Sequence, residues 1–260
     1  MNAAIPAYIS RGGGEATVVL LHGVGGGKAY WEEQLEVLAA AGYRAVAWDM
    51  PGYGESGMVE PYTLAELVLA LERLIDRLAP KPVVLLGHSM GGMVALEAYA
   101  TFPHKIAALI LSGTSPAFGR PEGAWQQEFL RQRLAPLDAG MSMADLAPDL
   151  VRNMVGKDAE PAALRLAVEI MSAVPPATYR AALHALMSFD RRSLLPSIGV
   201  PTLALAGEAD PNAPSAVMRK MAEKIPGAVY ECLPDAGHLA SLERPAAFDK
   251  SILRFLREHC

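Results

Sequence analysis

Only two of the 260 residues are cysteines, Cys232 and Cys260. They are too few for a disulfide framework and are not spaced as a metal-binding Cys-x-x-Cys pair. Both read as free thiols, in keeping with a cytoplasmic location. No apolar run approaches the roughly 18 residues needed to cross a bilayer, so no membrane association is expected. Met1 to Ser10 has neither a basic region nor a long apolar one, and no secretory signal is read there. Basic residues are not in excess: the formal net charge is −5, which excludes the footprint of a nucleic-acid binder. No pair of histidines has ligand spacing, so neither a metal nor another cofactor is expected. Repeats and low-complexity stretches are missing too. What remains as a partner is a small molecule and water, with a homo-oligomer left open.

What the chain does have is apolar residues, 52% of the total, enough to exclude disorder and to fill one large α/β core. Apolar runs at Ala7–Ser10, Thr17–Leu21, Arg44–Trp48, Val83–Gly87, Ile106–Leu111, Val200–Ala206 and Val229–Leu233 read as strands. Helical patterns alternate with most of them. One runs through Leu64, Leu67, Leu71, Leu74 and Leu78, with Thr63 and Glu66 as a capping box. Such alternation predicts parallel βαβ units with helices on both faces. It stops between Pro116 and Leu195. There only helices are read (Trp125–Leu134, Met143–Met154, Ala162–Met171, Thr178–Ser188), separated by breakers such as Pro136, Gly140 and Pro161. The expected division is an α/β body, residues 1–115 and 196–260, carrying a helical insertion, residues 116–195.

The chain is organised around Val83-Val84-Leu85-Leu86-Gly87-His88-Ser89-Met90-Gly91-Gly92. Strand, Gly-x-Ser-x-Gly, helix is the context of a nucleophile elbow, a turn tight enough to need glycines and to push a serine hydroxyl out at the strand's carboxyl end. A serine is a weak nucleophile unless a base takes its proton and an acid orients that base. Of six histidines, His238 alone stands in a loop between the last strand and last helix, at the sheet edge where Ser89 emerges. Asp210, just past a strand and before His238 in the chain, is the expected acid, with Glu208 as its rival. Asp49 precedes Ser89 and opens a Pro-Gly turn, and is read as structural. An oxyanion needs two preorganised donors. The Met90 N–H, at a helix start, and the Val24 N–H, in the loop His22-Gly23-Val24-Gly25-Gly26-Gly27, are the candidates. That loop lacks both G-x-G-x-x-G and a G-K-[ST] ending, which sets nucleotide binding aside although Lys28 follows it.

Taken together, His22-Gly23, Asp49-x-Pro51-Gly52-x-Gly54-x-Ser56, Gly87-His88-Ser89-Met90-Gly91-Gly92, Gly207-x-x-Asp210 and Gly237-His238 resemble the α/β-hydrolase superfamily over essentially the whole chain. Within it the chain resembles the branch of 3-oxoadipate enol-lactonases, non-haem haloperoxidase-type esterases and meta-cleavage-product hydrolases. The resemblance implies a mostly parallel sheet of about eight strands, with a helical cap between the sixth and seventh. Ser89 departs from epoxide hydrolases and haloalkane dehalogenases, which use an aspartate there. His88 departs from meta-cleavage hydrolases, which usually carry an asparagine before the nucleophile.

The insertion is expected to be a substrate lid. Trp31, Trp125, Phe129, Met143, Met154 and Met187 are the candidate pocket residues, with Met141, Met171 and Phe189 in the same block. One of Arg131, Arg133, Arg152, Arg180, Arg191 and Arg192 could hold a substrate carboxylate. The leading expectation is a serine hydrolase of small carboxylic esters or (enol-)lactones. Carbon–carbon hydrolysis of ring-cleavage products on the same three residues is the alternative, and a ligand-binding homologue with little turnover is the non-enzymatic one.

Overall fold

The computed structural model describes residues 4–78, 81–119 and 123–260. Seven strands form one sheet: β1 (Tyr8–Arg11), β2 (Thr17–Leu21), β3 (Arg44–Trp48), β4 (Val83–His88), β5 (Ile106–Ser112), β6 (Thr202–Gly207) and β7 (Val229–Leu233). Their spatial order is β1-β3-β2-β4-β5-β6-β7. All pairs are parallel except β1 with β3, which run antiparallel in the register Tyr8↔Trp48 to Arg11↔Ala45. Every residue of β2, β4 and β6 is buried, as continuous apolar runs in a sheet covered on both faces must be. Among the described residues the strand count is seven, which corrects the expected eight. Each apolar run makes one strand, and residues 4–7 ahead of β1 make none.

Helices α1 (Glu32–Ala40), α2 (Leu64–Leu78) and α3 (Met90–Thr101) connect the first five strands, and α8 (Ser215–Ala222), α9 (Ala240–Glu243) and α10 (Pro245–His259) follow β6 and β7. In α2 the leucines at 64, 67, 71, 74 and 78 are all buried, and Thr63 Oγ1 accepts the Glu66 N–H at 3.3 Å. The amphipathic period thus sets the buried face, and the cap sets the start.

Between β5 and β6 come α4 (Ala124–Asp138), α5 (Met143–Arg152), α6 (Pro161–Ser172) and α7 (Pro176–Leu186). Pro136, expected as a breaker, lies inside α4. A proline removes one N–H bond, here toward the carbonyl of exposed Gln132, where water can replace it near the helix end. The two ends of this segment are joined. Ala117 and Asp190 form an antiparallel bridge, Phe118 N–H donates to the Phe189 carbonyl at 3.0 Å, and Arg191 N–H donates to the Pro116 carbonyl at 2.7 Å. The helices therefore leave and rejoin the sheet at one place. Among the described residues no helix is long and apolar enough to cross a membrane.

Candidate active site

Ser89 sits between β4 and α3 with φ 53° and ψ −120°, a left-handed conformation that costs a non-glycine residue energy. Its surroundings hold it there: Ser89 N–H donates to the Ser112 carbonyl at 2.9 Å, and its own carbonyl accepts the Thr114 hydroxyl at 2.7 Å. The flanking glycines are needed for space. A Cβ on Gly87 would stand 2.4 Å from the Gly91 carbonyl oxygen, and one on Gly91 would stand 2.1 Å from that of Leu21.

The turn aims the serine at His238, on the loop after β7, whose Nε2 lies 3.0 Å from Ser89 Oγ. His238 Nδ1 lies 2.8 Å from Asp210 Oδ2, just past the end of β6. The other Asp210 oxygen accepts the N–H groups of Asn212 and Ala213 at 2.7 and 2.9 Å. Burial would raise the Asp210 pKa, but the His238 charge and hydrogen bond and the two backbone donors outweigh it. The net shift is downward, and the carboxylate stays ionised. An ionised partner keeps the proton on Nδ1 and leaves Nε2 to accept from the serine.

The rival Glu208 is exposed and accepts the Asp235 N–H at 3.2 Å, away from His238. Asp49 is buried and ties its turn together, accepting from the Lys28 N–H at 2.9 Å, the Lys28 ammonium at 2.6 Å and the Glu55 N–H at 3.1 Å. Among the described residues none of the remaining histidines is hydrogen-bonded to the serine hydroxyl. His104, His184 and His259 are exposed. His22 donates from Nδ1 to the Gly23 carbonyl at 2.8 Å and accepts the Met50 N–H on Nε2 at 2.9 Å, bracing the glycine loop. Burial pushes its pKa down to about 4. His88 lies stacked on Tyr30, with ring centroids 5.4 Å apart and the His238 ring 4.8 Å away. Burial, reinforced by His238, pushes His88 down to about 3, so it adds no charge beside the site at neutral pH.

Val24, Met90, Ser89 and His238 line one cavity of about 690 Å³. Neither the Val24 nor the Met90 N–H has an acceptor among the described residues. Trp125, Phe129 and Met154 line the cavity as expected, together with Met171. Trp31, Met143 and Met187 do not. Trp31 is fully buried between the His88 and Phe248 rings, and its neighbour Tyr30 takes the cavity wall instead. Met143 and Met187, like Phe189, are buried in the packing of the helices, while Met141 is exposed. Among the described residues no cluster of three or more His, Cys, Asp or Glu side chains is arranged to hold a metal.

One contributor escaped the sequence reading. The Glu243 carboxylate is buried, and it accepts three backbone N–H groups: Gly237 at 2.9 Å, Leu239 at 3.0 Å and Gly156 at 2.7 Å. It brackets His238 and binds that loop to the segment after α5. An acid five residues after a histidine is the only linear signal, and it reads equally well as a solvated helix face.

Residues 16–245 match the family model described as alpha/beta hydrolase fold. A putative carbamate hydrolase, RutD, of Variovorax paradoxus (strain S110) is 31% identical over 94% of this chain and 92% of its own length. A thermophilic esterase from Thermogutta terrifontis superposes with a TM-score of 0.88 at 28% identity, over 98% of this chain and 94% of that one. The enol-lactonase from Burkholderia xenovorans LB400 does so with a TM-score of 0.85 at 28% identity, over 96% of each chain. With a family model matched along most of its length, the chain belongs to the α/β-hydrolase family of enzymes.

Proposed function

We propose that this protein hydrolyses a small carboxylic ester or lactone through Ser89, His238 and Asp210, by way of an acyl-enzyme. The reading rests above all on the continuous chain Ser89 Oγ–His238 Nε2 and His238 Nδ1–Asp210 Oδ2, at 3.0 and 2.8 Å, of which Ser89 and His238 line the cavity. Ser89 Oγ attacks the carbonyl carbon while His238 Nε2 takes its proton. The carbonyl oxygen becomes an oxyanion held by the Val24 and Met90 N–H groups, which need no reorganisation to receive it. As the intermediate collapses, His238 gives the proton to the leaving oxygen, an alcohol or a lactone's own hydroxyl. Water then repeats the sequence and frees the acid.

Residues 1–115 and 196–260 act as the catalytic body and residues 116–195 as the cap over it. The joined ends of the helical segment and the cavity residues it contributes support that division. The named relatives are in keeping with ester and lactone chemistry, one being an esterase and one an enol-lactonase. Turnover of p-nitrophenyl butyrate, with a fluorophosphonate probe labelling the wild type and not Ser89→Ala, is the test. Labelling that survives Ser89→Ala overturns the nucleophile. A panel adding an enol-lactone and a dienoate ring-cleavage product separates the bond types.

A further inference from the structure

Helices α4 to α7 and the segment just after them carry seven arginines among the described residues, and their partners set one apart. Arg131 pairs with Glu128 at 2.6 Å, Arg152 with Asp149 at 2.7 Å, Arg180 with Asp138 at 2.6 Å and Arg191 with Glu97 at 2.5 Å. Arg192 pairs with Asp190, and Arg165 is exposed to solvent. Arg133 is half-buried, lines the cavity and has no carboxylate within ion-pair distance among the described residues. Its guanidinium carbon lies 3.7 Å from the centroid of the Phe129 ring. Stacking of this kind immobilises the guanidinium but covers only a face, and the N–H donors lie in its plane, free for an acceptor.

Two neighbours decide what that acceptor is. Glu128 also borders the cavity, but Arg131 and Gln132 already occupy both its oxygens, so it adds no free negative charge. Tyr179 is buried on the same wall, close enough to feel the Arg133 charge, and its hydroxyl has no hydrogen-bond partner among the described residues. A desolvated, unpaired guanidinium is costly to keep, and burial lowers the Arg133 pKa without discharging it. An anionic ligand would offset that cost with a charge-assisted bond from each donor.

We propose that Arg133 and Tyr179 form a carboxylate subsite, so that the preferred substrate is an ester or lactone carrying a second, free carboxylate, such as a dicarboxylic half-ester. This rests on the ester and lactone reading given above for the same cavity. The guanidinium fork takes both carboxylate oxygens, and the phenol hydroxyl donates to one of them. Ser89 works on the ester carbonyl at the other end of the molecule.

The experiment compares monomethyl esters of C4 to C8 dicarboxylic acids with methyl esters of the matching monocarboxylic acids. For wild type at the best chain length, kcat/KM should favour the half-ester by about 10-fold or more, the scale of one charge-assisted hydrogen bond. Arg133→Gln should bring that ratio close to one, chiefly through KM. Tyr179→Phe should lower it less, and Arg133→Lys should keep part of it, since the charge survives without the fork. A wild-type ratio at or below one, or a ratio that Arg133→Gln leaves unchanged, overturns the subsite. Calorimetric binding of adipate against hexanoate, in wild type and both Arg133 variants, reads the same preference without turnover. A binding preference lost in Arg133→Gln in a protein that turns over no ester keeps the subsite and rejects the Ser89 chemistry. Ester turnover with no binding preference does the opposite.

Discussion

The backbone N–H of His238 donates to the carbonyl of Met154 at 2.7 Å. The loop that presents the histidine to Ser89 is thereby bound to the helical segment above the cavity, and Met154 itself lines that cavity. Gly156 and Gly237 allow the two loops to cross, since a Cβ on Gly237 would lie 2.5 Å from the Gly156 nitrogen. The segment that links α5 to α6 is therefore tied directly to the His238 backbone.

Glu243 joins the same crossing through its three accepted N–H groups. Glu243→Gln leaves one oxygen as an acceptor and turns an NH2 group toward at least one backbone N–H. One buried donor is then orphaned, at about 1–3 kcal/mol. Chemical denaturation should report that loss, and kcat on a neutral ester should fall by about 10-fold or more as His238 loosens. A variant with wild-type stability and kcat would show that the carboxylate holds nothing together.

Asp210 and Glu208 should respond very differently to loss of charge. Asp210→Asn can still accept the two backbone N–H groups, but its amide stabilises the wrong imidazole tautomer, and kcat should fall about 10⁴-fold. Glu208→Gln, at an exposed position, should stay within a few-fold of wild type. Steady-state kinetics on one ester suffices, and equal losses in the two variants would reject Asp210 as the orienting acid.

The two methionines Met143 and Met154 should separate stability from selectivity. Met143 is only 2% exposed and does not line the cavity at Ser89, so Met143→Ala should cost roughly 2–5 kcal/mol. Met154→Ala enlarges the cavity instead, and should change the ranking of ester chain lengths more than the unfolding free energy. If the ranking moved with Met143→Ala and not with Met154→Ala, the cavity wall would be wrongly assigned.

Asp249 is expected to make stability depend on pH. Burial, with the charge of Glu33 nearby, pushes its pKa up to about 6, against the opposing hydrogen bond from Gln34 Nε2 at 3.1 Å. The folded protein thus holds this proton more tightly than the unfolded chain, in which the group titrates near ~3.9. The stabilising contribution is complete below about pH 4 and is lost as pH rises through about 6. Asp249→Asn removes the titration, and its NH2 group can serve the Gln34 Oε1, which has no partner among the described residues. Calorimetric Tm values at pH 5 and pH 8 should show the variant gaining on wild type at the higher pH, and an equal offset at both would exclude Asp249 as the cause.

Ser89, Asp210 and His238 were legible because each sits in a local pattern: strand, glycine-framed turn, helix for the first, and loops just beyond β6 and β7 for the other two. The inner strands were legible for the same reason, since a residue buried on both faces of a sheet must be apolar whatever its neighbours. At the sheet edges, β1 and β7 are only partly buried and were legible from short apolar or β-branched runs. Those are rules of contiguous residues, and the sequence by itself determined them. Tertiary structure decided which of two adjacent aromatics, Tyr30 or Trp31, faces the cavity, and which methionines line it rather than fill the helix packing. It also decided that Glu243 reaches Gly156, 87 residues away, and that Arg133 lines the cavity with no carboxylate within ion-pair distance among the described residues. Such facts depend on the angle and offset between elements far apart in the chain. A few degrees of rotation about a helix axis exchange a cavity face for a packed one without altering the hydrophobic pattern that a sequence displays.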